Sequence, residues 1–366
     1  MKHLAPTSQL LMRSLPLLQL SNSIVIINPP ADLFCRELLD AGINNLSVLS
    51  SNYYIYQYIK ENSKENTLNI EFTSKFITKG NNRADLAIVY LPKEKPFRDY
   101  LLSRSLGTLG PAGKVWLVGE NRAGIKSAAK QLTKISASVV SKLDSARHCS
   151  LLETQFNNAS RSALESQLQA HSKAQPGFNL HFNQKDWNFT TLPGVFSYAK
   201  LDPASRMLLK NLEEQPVSGH ILDFACGSGV LGICASSLQP DIRLDLLDVS
   251  AMALASTEIN LKQAGLAADT TQLLASDAYS EVKNRYSAII SNPPFHRDTR
   301  QTLEVSEALI HQAPLHLKAK GELRLVANRH LPYLALFEQA FRQVKILSSD
   351  RYFHVIQGKY PIIYRT

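Results

Sequence analysis

The tetrapeptide Asn292-Pro293-Pro294-Phe295 sets an amide, two rings of fixed torsion and an aromatic face side by side. An amino group on a flat ring is a poor nucleophile, because its lone pair is delocalised into the ring. The side-chain oxygen of Asn292 and the carbonyl of Pro293 can both accept from such an amine, drawing its nitrogen towards tetrahedral geometry. Proline fixes the torsion and supplies no competing N–H. Phe295 can stack on the ring. The chemistry this suits is attack by the amine on a small electrophilic group, with the rate coming mainly from alignment of the reacting atoms. It requires neither a metal nor a strong base, and the sequence holds no ligand cluster for a metal.

The elements that must position this tetrapeptide lie upstream. His220 to Gly232 reads HILDFACGSGVLG: an apolar strand carrying Asp223, the turn Ala225-Cys226-Gly227-Ser228-Gly229, and a helix from Val230. Glycines let a backbone approach a ligand closely and adopt torsions closed to larger residues. The helix start behind them offers free N–H groups. The next predicted strand runs from Ile242 and ends in Asp248, 25 residues after Asp223, where a doubly wound sheet grips a ribose. A third strand, Leu273 to Ala275, ends in Ser276-Asp277, and a fourth, Ala288 to Ser291, runs into the tetrapeptide. A dinucleotide-dependent enzyme needs nothing like Asn-Pro-Pro-Phe at that place.

This order of glycine turn, acidic strand ends and Asn-Pro-Pro-Phe resembles the class I S-adenosylmethionine-dependent methyltransferases that act on amino groups. The resemblance implies S-adenosylmethionine as cofactor. Gly227 and Gly229 would pass beneath its ribose and methionyl part, and Ala225 stands where the family usually has its first glycine. Asp223 would draw the ammonium end or orient the turn. Asp248 would accept from the ribose diol, and Asp277 from the adenine amino group. Asn292 adjoins both cofactor and substrate. Cys226 and Cys234 read as small buried residues. His296, Arg297, Arg300, Arg329 and His330 would line a substrate rim, with phosphate contact as the arginines' role.

At 366 residues the chain suits two domains of roughly 150–200 residues each. Its 44% hydrophobic and 19% charged residues are those of an ordinary globular protein. A net charge of +9 favours a polyanionic partner. The four cysteines have neither metal spacing nor a disulfide framework, which fits a reducing cytoplasm. The first thirty residues are not expected to act as a signal peptide, since Arg13, Ser14, Gln19 and Asn22 interrupt the apolar run. No stretch approaches the roughly 18–20 apolar residues of a membrane span. A soluble cytoplasmic monomer is expected.

The N-terminal half repeats the alternation of strand and helix without the glycine turn. A helix is predicted from Thr7 to Leu18, then the buried strand Ile24 to Ile27, which ends in Asn28-Pro29-Pro30. That tripeptide reads as a turn, since Ala31 and no aromatic follows. Strands near Leu46, Asn69, Asp85 and Lys114 complete a parallel sheet. The expected architecture is α/β, with two tandem Rossmann-like methyltransferase domains, the first without the cofactor motif. Residues 1–160 form the degenerate domain, 161–190 a linker and 191–366 the catalytic domain.

Five further stretches carry a narrower resemblance: Asp144-Ser-Ala-Arg-His-Cys149, Val118-Gly-Glu-Asn-Arg-Ala-Gly124, Leu192-Pro-Gly-Val-Phe-Ser197, Ile290-Ser-Asn-Pro-Pro-Phe-His296 and Gly321-Glu-Leu-Arg-Leu-Val-Ala-Asn328. They are similar to signatures of the small-subunit ribosomal RNA guanine-N2 methyltransferase C family, over nearly the whole chain. The resemblance implies methylation of a guanine N2 in 16S rRNA within the assembled small subunit, and cofactor binding by the C-terminal half alone. A sister family acts on large-subunit 23S rRNA with much the same architecture. A non-catalytic RNA-binding assembly factor is the alternative outside enzymes.

Overall fold

Ile24–Ile27 is buried at all four positions, as a strand covered by helices on both faces of a parallel sheet must be. The computed structural model describes residues 3–63, 68–77, 83–135, 139–156, 162, 166, 176–239, 241–266, 268–293 and 300–363. The chain divides into two compact units, Met1–Gln175 and Pro176–Thr366.

In the first unit the strands are β1 (Ile24–Ile27), β2 (Leu46–Ser50), β3 (Asn69–Phe72), β4 (Ala84–Tyr90), β5 (Leu109–Glu120), β6 (Ser141–Ala146) and β7 (Cys149–Gln155). They lie in the order β3-β2-β1-β4-β5-β7-β6. The first five run parallel, and β7 is antiparallel to β5 and β6. The turn between β6 and β7 places Arg147 and His148 at φ 49° and 60°, the left-handed pair of a tight hairpin. The Asp144–Cys149 signature is therefore a hairpin. The predicted helix from Thr7 to Leu18 is instead two short helices, Pro6–Met12 and Leu15–Leu18. Pro16 explains the break, because it has no N–H to continue the first helix and is favoured at the start of the second.

The second unit opens with an antiparallel hairpin, β8 (Gly177–Phe182) and β9 (Lys185–Thr190). Its residues Phe182, Trp187 and Phe189 are buried in one core cluster with Leu208, Leu212 and Ile221. Residues 177–190, expected as linker, are thus part of the second unit. Alternating apolar residues give the hairpin a face to bury, which a solvated linker lacks. Seven strands follow: β10 (His220–Phe224), β11 (Arg243–Asp248), β12 (Thr271–Ala275), β13 (Tyr286–Ser291), β14 (Leu317–Asn328), β15 (Phe341–Ser349) and β16 (Phe353–Pro361). Their order, β12-β11-β10-β13-β14-β16-β15, repeats that of the first sheet strand for strand. The helix Pro203–Glu214 precedes β10, and Val230–Ser236 and Ala251–Ala264 follow β10 and β11.

The two units differ where their first strands end. Asn28 and Ala225 each follow that strand with φ near 57° and 56°. In the second unit the N–H of Cys226 then donates to Leu247 O, and that of Gly227 to Asp248 Oδ2. The first unit has Pro29 and Pro30 at these places, and proline has no N–H to give. Its own N-terminal segment is tied to the same end instead. Ala5 N–H donates to the buried Asp32 carboxylate, and the Ser8 hydroxyl hydrogen-bonds that of Tyr90. Among the described residues, no helix is long and apolar enough to cross a membrane, and no group of three His, Cys, Asp or Glu could hold a metal.

Candidate active site

Strand register brings the predicted residues to one edge. Phe224 pairs with Leu247 on one side and Ser291 on the other, and Asp248 pairs with Ala275. The carboxyl ends of β12, β11, β10 and β13 therefore stand in a row, carrying Asp277, Asp248, the glycine turn and Asn292. The chain reverses its direction of travel across the sheet between β10 and β13, the place where open α/β sheets leave a crevice.

The turn needs left-handed backbone at Ala225, Gly227 and Gly229, with φ of 56°, 59° and 78°. Alanine bears this at a cost of about 1–2 kcal/mol. At Gly229 a Cβ would sit 2.8 Å from Thr257 Cγ2, so glycine is required there by packing as well. At Gly227 a Cβ would meet nothing within 4 Å, so the turn is open on that side. Cys226 is buried, its Sγ 3.6 Å from Thr257 Oγ1, and burial pushes its thiol well above the ordinary range. Its side chain belongs to the core, which leaves its backbone to shape the turn.

Of three buried polar residues on the helix Ala251–Ala264 that sequence reasoning missed, two hold this turn and the third holds the chain at Leu192. Thr257 Oγ1 donates to Gly227 O, and Asn260 Nδ2 donates to Ser228 O and Thr190 O. Asn260 Oδ1 accepts from Thr190 N–H, and Ser256 Oγ from Leu192 N–H. Their spacing puts Ser256, Thr257 and Asn260 on one face of the helix. The available signal was this polar cluster on a face that should be apolar. It fastens the Leu192–Ser197 stretch and the hairpin β8–β9 to the glycine turn.

The carboxylates differ in what they can reach. Asp223 is fully buried; its Oδ2 accepts from Gly232 N–H at 2.8 Å, while Oδ1 has no partner among the described residues. Burial pushes its pKa up to about 7, the Gly232 bond opposing and the charge of Asp248 adding to the shift. Of the two roles expected for Asp223, this geometry favours orienting the turn. Asp248 Oδ2 accepts from Gly227 N–H and Oδ1 from Ser250 N–H, at 2.9 and 2.8 Å. Each oxygen keeps acceptor capacity, as a diol needs. Burial raises its pKa against those hydrogen bonds. Asp277 is half-buried just past β12, and burial raises its pKa too. A cradle open at Gly227 beside the acceptor pair of Asp248 fits S-adenosylmethionine, which presents hydroxyl and amino donors.

Asn292 is half-buried at the end of β13, and its Nδ2 donates to Asp202 Oδ2 at 2.9 Å and Ser205 Oγ at 2.8 Å. A carboxylate only accepts, so the NH2 group must face Asp202. The amide oxygen then points away, with no partner among the described residues. Asp202 also caps the helix Pro203–Glu214, accepting from Ser205 N–H. The far end of that helix is held by Arg324, which donates to Asn211 Oδ1 and Gln215 O and pairs with Glu322. This is the work of the Gly321–Asn328 signature.

Pro293 is buried. Pro294, Phe295, His296 and Arg297 lie outside the described residues, as does the side chain of Arg300 at the start of the helix Arg300–His316. Arg329 and His330 are exposed beyond the end of β14, on the same edge of the sheet.

A family model described as "Methyltransferase small domain" matches residues 186–357, and one described as "Methyltransferase small domain N-terminal" matches 8–171. A protein of Psychromonas ingrahamii named "Ribosomal RNA small subunit methyltransferase C" is 36% identical, with 87% of each chain covered. One of the same name from Aliivibrio salmonicida is 34% identical over 98% of this chain and 100% of its own. Among solved structures, a T. Thermophilus 16S rRNA N2 G1207 methyltransferase, in complex with AdoMet and guanosine, superposes with TM-score 0.77. It is 19% identical and covers 92% of this chain and 88% of its own, a likeness of fold.

Proposed function

The chain belongs to the ribosomal RNA small subunit methyltransferase C family, and from this premise we propose that it methylates the exocyclic N2 of one guanine in 16S rRNA. The observation that carries the reading is Asn292, whose amide is turned by Asp202 and Ser205 to leave its oxygen without a partner among the described residues, at the end of the strand next to β10 and its glycine turn.

S-adenosylmethionine, when bound, supplies an electrophilic methyl group on its sulfonium. The backbone of the turn at Gly227 and Gly229 would cradle it, Asp248 would accept from its ribose hydroxyls and Asp277 from its adenine amino group. Asp223 keeps the turn in place through Gly232. Asn292 Oδ1 and the Pro293 carbonyl accept the two N2 hydrogens of guanine, holding the lone pair towards the methyl group. Phe295 stacks on the base, and His296, Arg297, Arg300 and Arg329 meet the surrounding RNA. Catalysis is confined to the C-terminal unit. The N-terminal unit recognises the substrate, the assembled small subunit, and supports folding. The protein works as a monomer in the cytoplasm.

The test is to map N2-methylguanine in ribosomal RNA from a strain lacking this protein, and to supply the purified protein with small or large subunits and labelled cofactor. Loss of one mark from 16S rRNA, restored in vitro on small subunits, is expected. A mark missing from 23S rRNA, or from neither, overturns the reading.

A further inference from the structure

Strand β14 ends at Asn328, which pairs with Phe353 at the start of β16. Since β13 and β14 are parallel neighbours, the tip between β15 and β16 projects from the same edge as Asn292. Across the sheet it lies two strand spacings away, about 10 Å, and it extends about three residues, roughly 10 Å, further along the strands. The tip has a defined shape. Asp350 Oδ1 accepts from the N–H groups of Tyr352 and Phe353, both at 2.7 Å, and Arg329 Nη1 donates to Asp350 O at 3.1 Å. The N–H of Arg329 in turn donates to Tyr352 O.

On this frame the Arg351 guanidinium lies over the Tyr352 ring, 5.4 Å from its centroid. Tyr352 is 61% exposed, and Arg351, Arg329 and His330 are exposed around it. Besides Arg351, the ring makes a tilted contact with Phe353, its centroid 6.3 Å away. Asp350 Oδ1 is committed to the turn, and the two arginines outnumber the one negative charge of this exposed carboxylate, so the tip is net cationic beside a flat ring. That combination suits a base and its phosphates: an aromatic ring stacks on any base, and arginines meet the backbone.

We propose that the β15–β16 tip binds the single-stranded RNA flanking the target nucleotide, Tyr352 stacking on a neighbouring base while Arg351 and Arg329 contact phosphates. The inference rests on the function proposed above and adds a contact outside the methyl-transfer site. It makes the tip a determinant of substrate affinity, with no part in the transfer step.

The experiment measures kcat, KM for small subunits lacking the mark, and cofactor affinity, in the parent, Tyr352→Ala, Tyr352→Phe and Arg351→Ala. Tyr352→Ala is expected to raise KM about tenfold with kcat and cofactor affinity unchanged. Tyr352→Phe keeps the stacking face and the parental KM. Arg351→Ala should weaken binding and lower the salt slope by about one. Parental KM in both alanine variants overturns the proposal, as does an equal loss in Tyr352→Phe. A loss seen with whole subunits but absent with a protein-free RNA fragment carrying the target assigns the tip to a ribosomal protein, and also overturns it. If the parent transfers no methyl group to 16S rRNA, the proposed function fails instead. Anisotropy of the same fragment with parent and Tyr352→Ala then still judges the tip, equal affinities overturning it.

Discussion

Asn292 Nδ2 donates to Asp202 Oδ2 across 2.9 Å, joining two residues 90 positions apart in the chain. The carboxylate decides which end of the amide faces the substrate, and the same oxygen caps a helix. Asp202→Ala should therefore slow methyl transfer by about 10–10² while costing about 1 kcal/mol of stability as a lost cap. Asn292→Ala, which removes the acceptor itself, should slow it by about 10²–10³ with cofactor affinity retained. Single-turnover transfer beside cofactor calorimetry checks both. A parental rate in Asn292→Ala would reduce the tetrapeptide to a turn.

Asp248 holds Gly227 and Ser250 by their N–H groups while facing the crevice. Asp248→Ala should weaken S-adenosylmethionine binding by about 1–3 kcal/mol and lower the melting temperature as well. Calorimetry of the parent should give one cofactor per chain, because Pro29 and Pro30 cannot donate as Cys226 and Gly227 do. Two equivalents would contradict this account of the first unit.

Asp223 makes stability depend on pH. Its folded pKa, raised by burial to about 7, lies above the unfolded value of about 3.9. Between these values the folded chain keeps a proton that the unfolded chain has released. Its share of stability is therefore present at acid pH and lost as pH rises towards 7. Asp223→Asn should flatten the melting temperature between about pH 5 and pH 7.5. An unchanged slope would mean that the group is already ionised in the fold.

Asn260 satisfies three backbone groups at once, Thr190 N–H, Thr190 O and Ser228 O. Replacing it with alanine strands them in a buried place, at a cost of about 1–3 kcal/mol. Because Ser228 lies in the turn, cofactor affinity should fall alongside stability in Asn260→Ala. Denaturant titration with and without cofactor reads the two effects. A loss of stability with full affinity would confine Asn260 to holding the hairpin.

Much of this was legible in the amino-acid order, because the governing interactions are local. Continuous apolar runs such as Ile24–Ile27 mark strands buried on both faces, and Gly227 and Gly229 answer to torsions that larger residues resist. Acidic residues at strand ends identify the edge once the strands are known to be parallel. The linker reading of residues 177–190 went astray because a hairpin this short is defined by what it packs against, here Leu208 and Leu212. Only tertiary structure decided that Asp223 faces Gly232, that Asn260 holds Thr190 and Ser228, and that Asn292 is oriented by Asp202. Each depends on a partner 9 to 90 positions away, and a side chain's direction is set by the neighbours that folding brings to it. Spacing within the sequence carries no record of those neighbours.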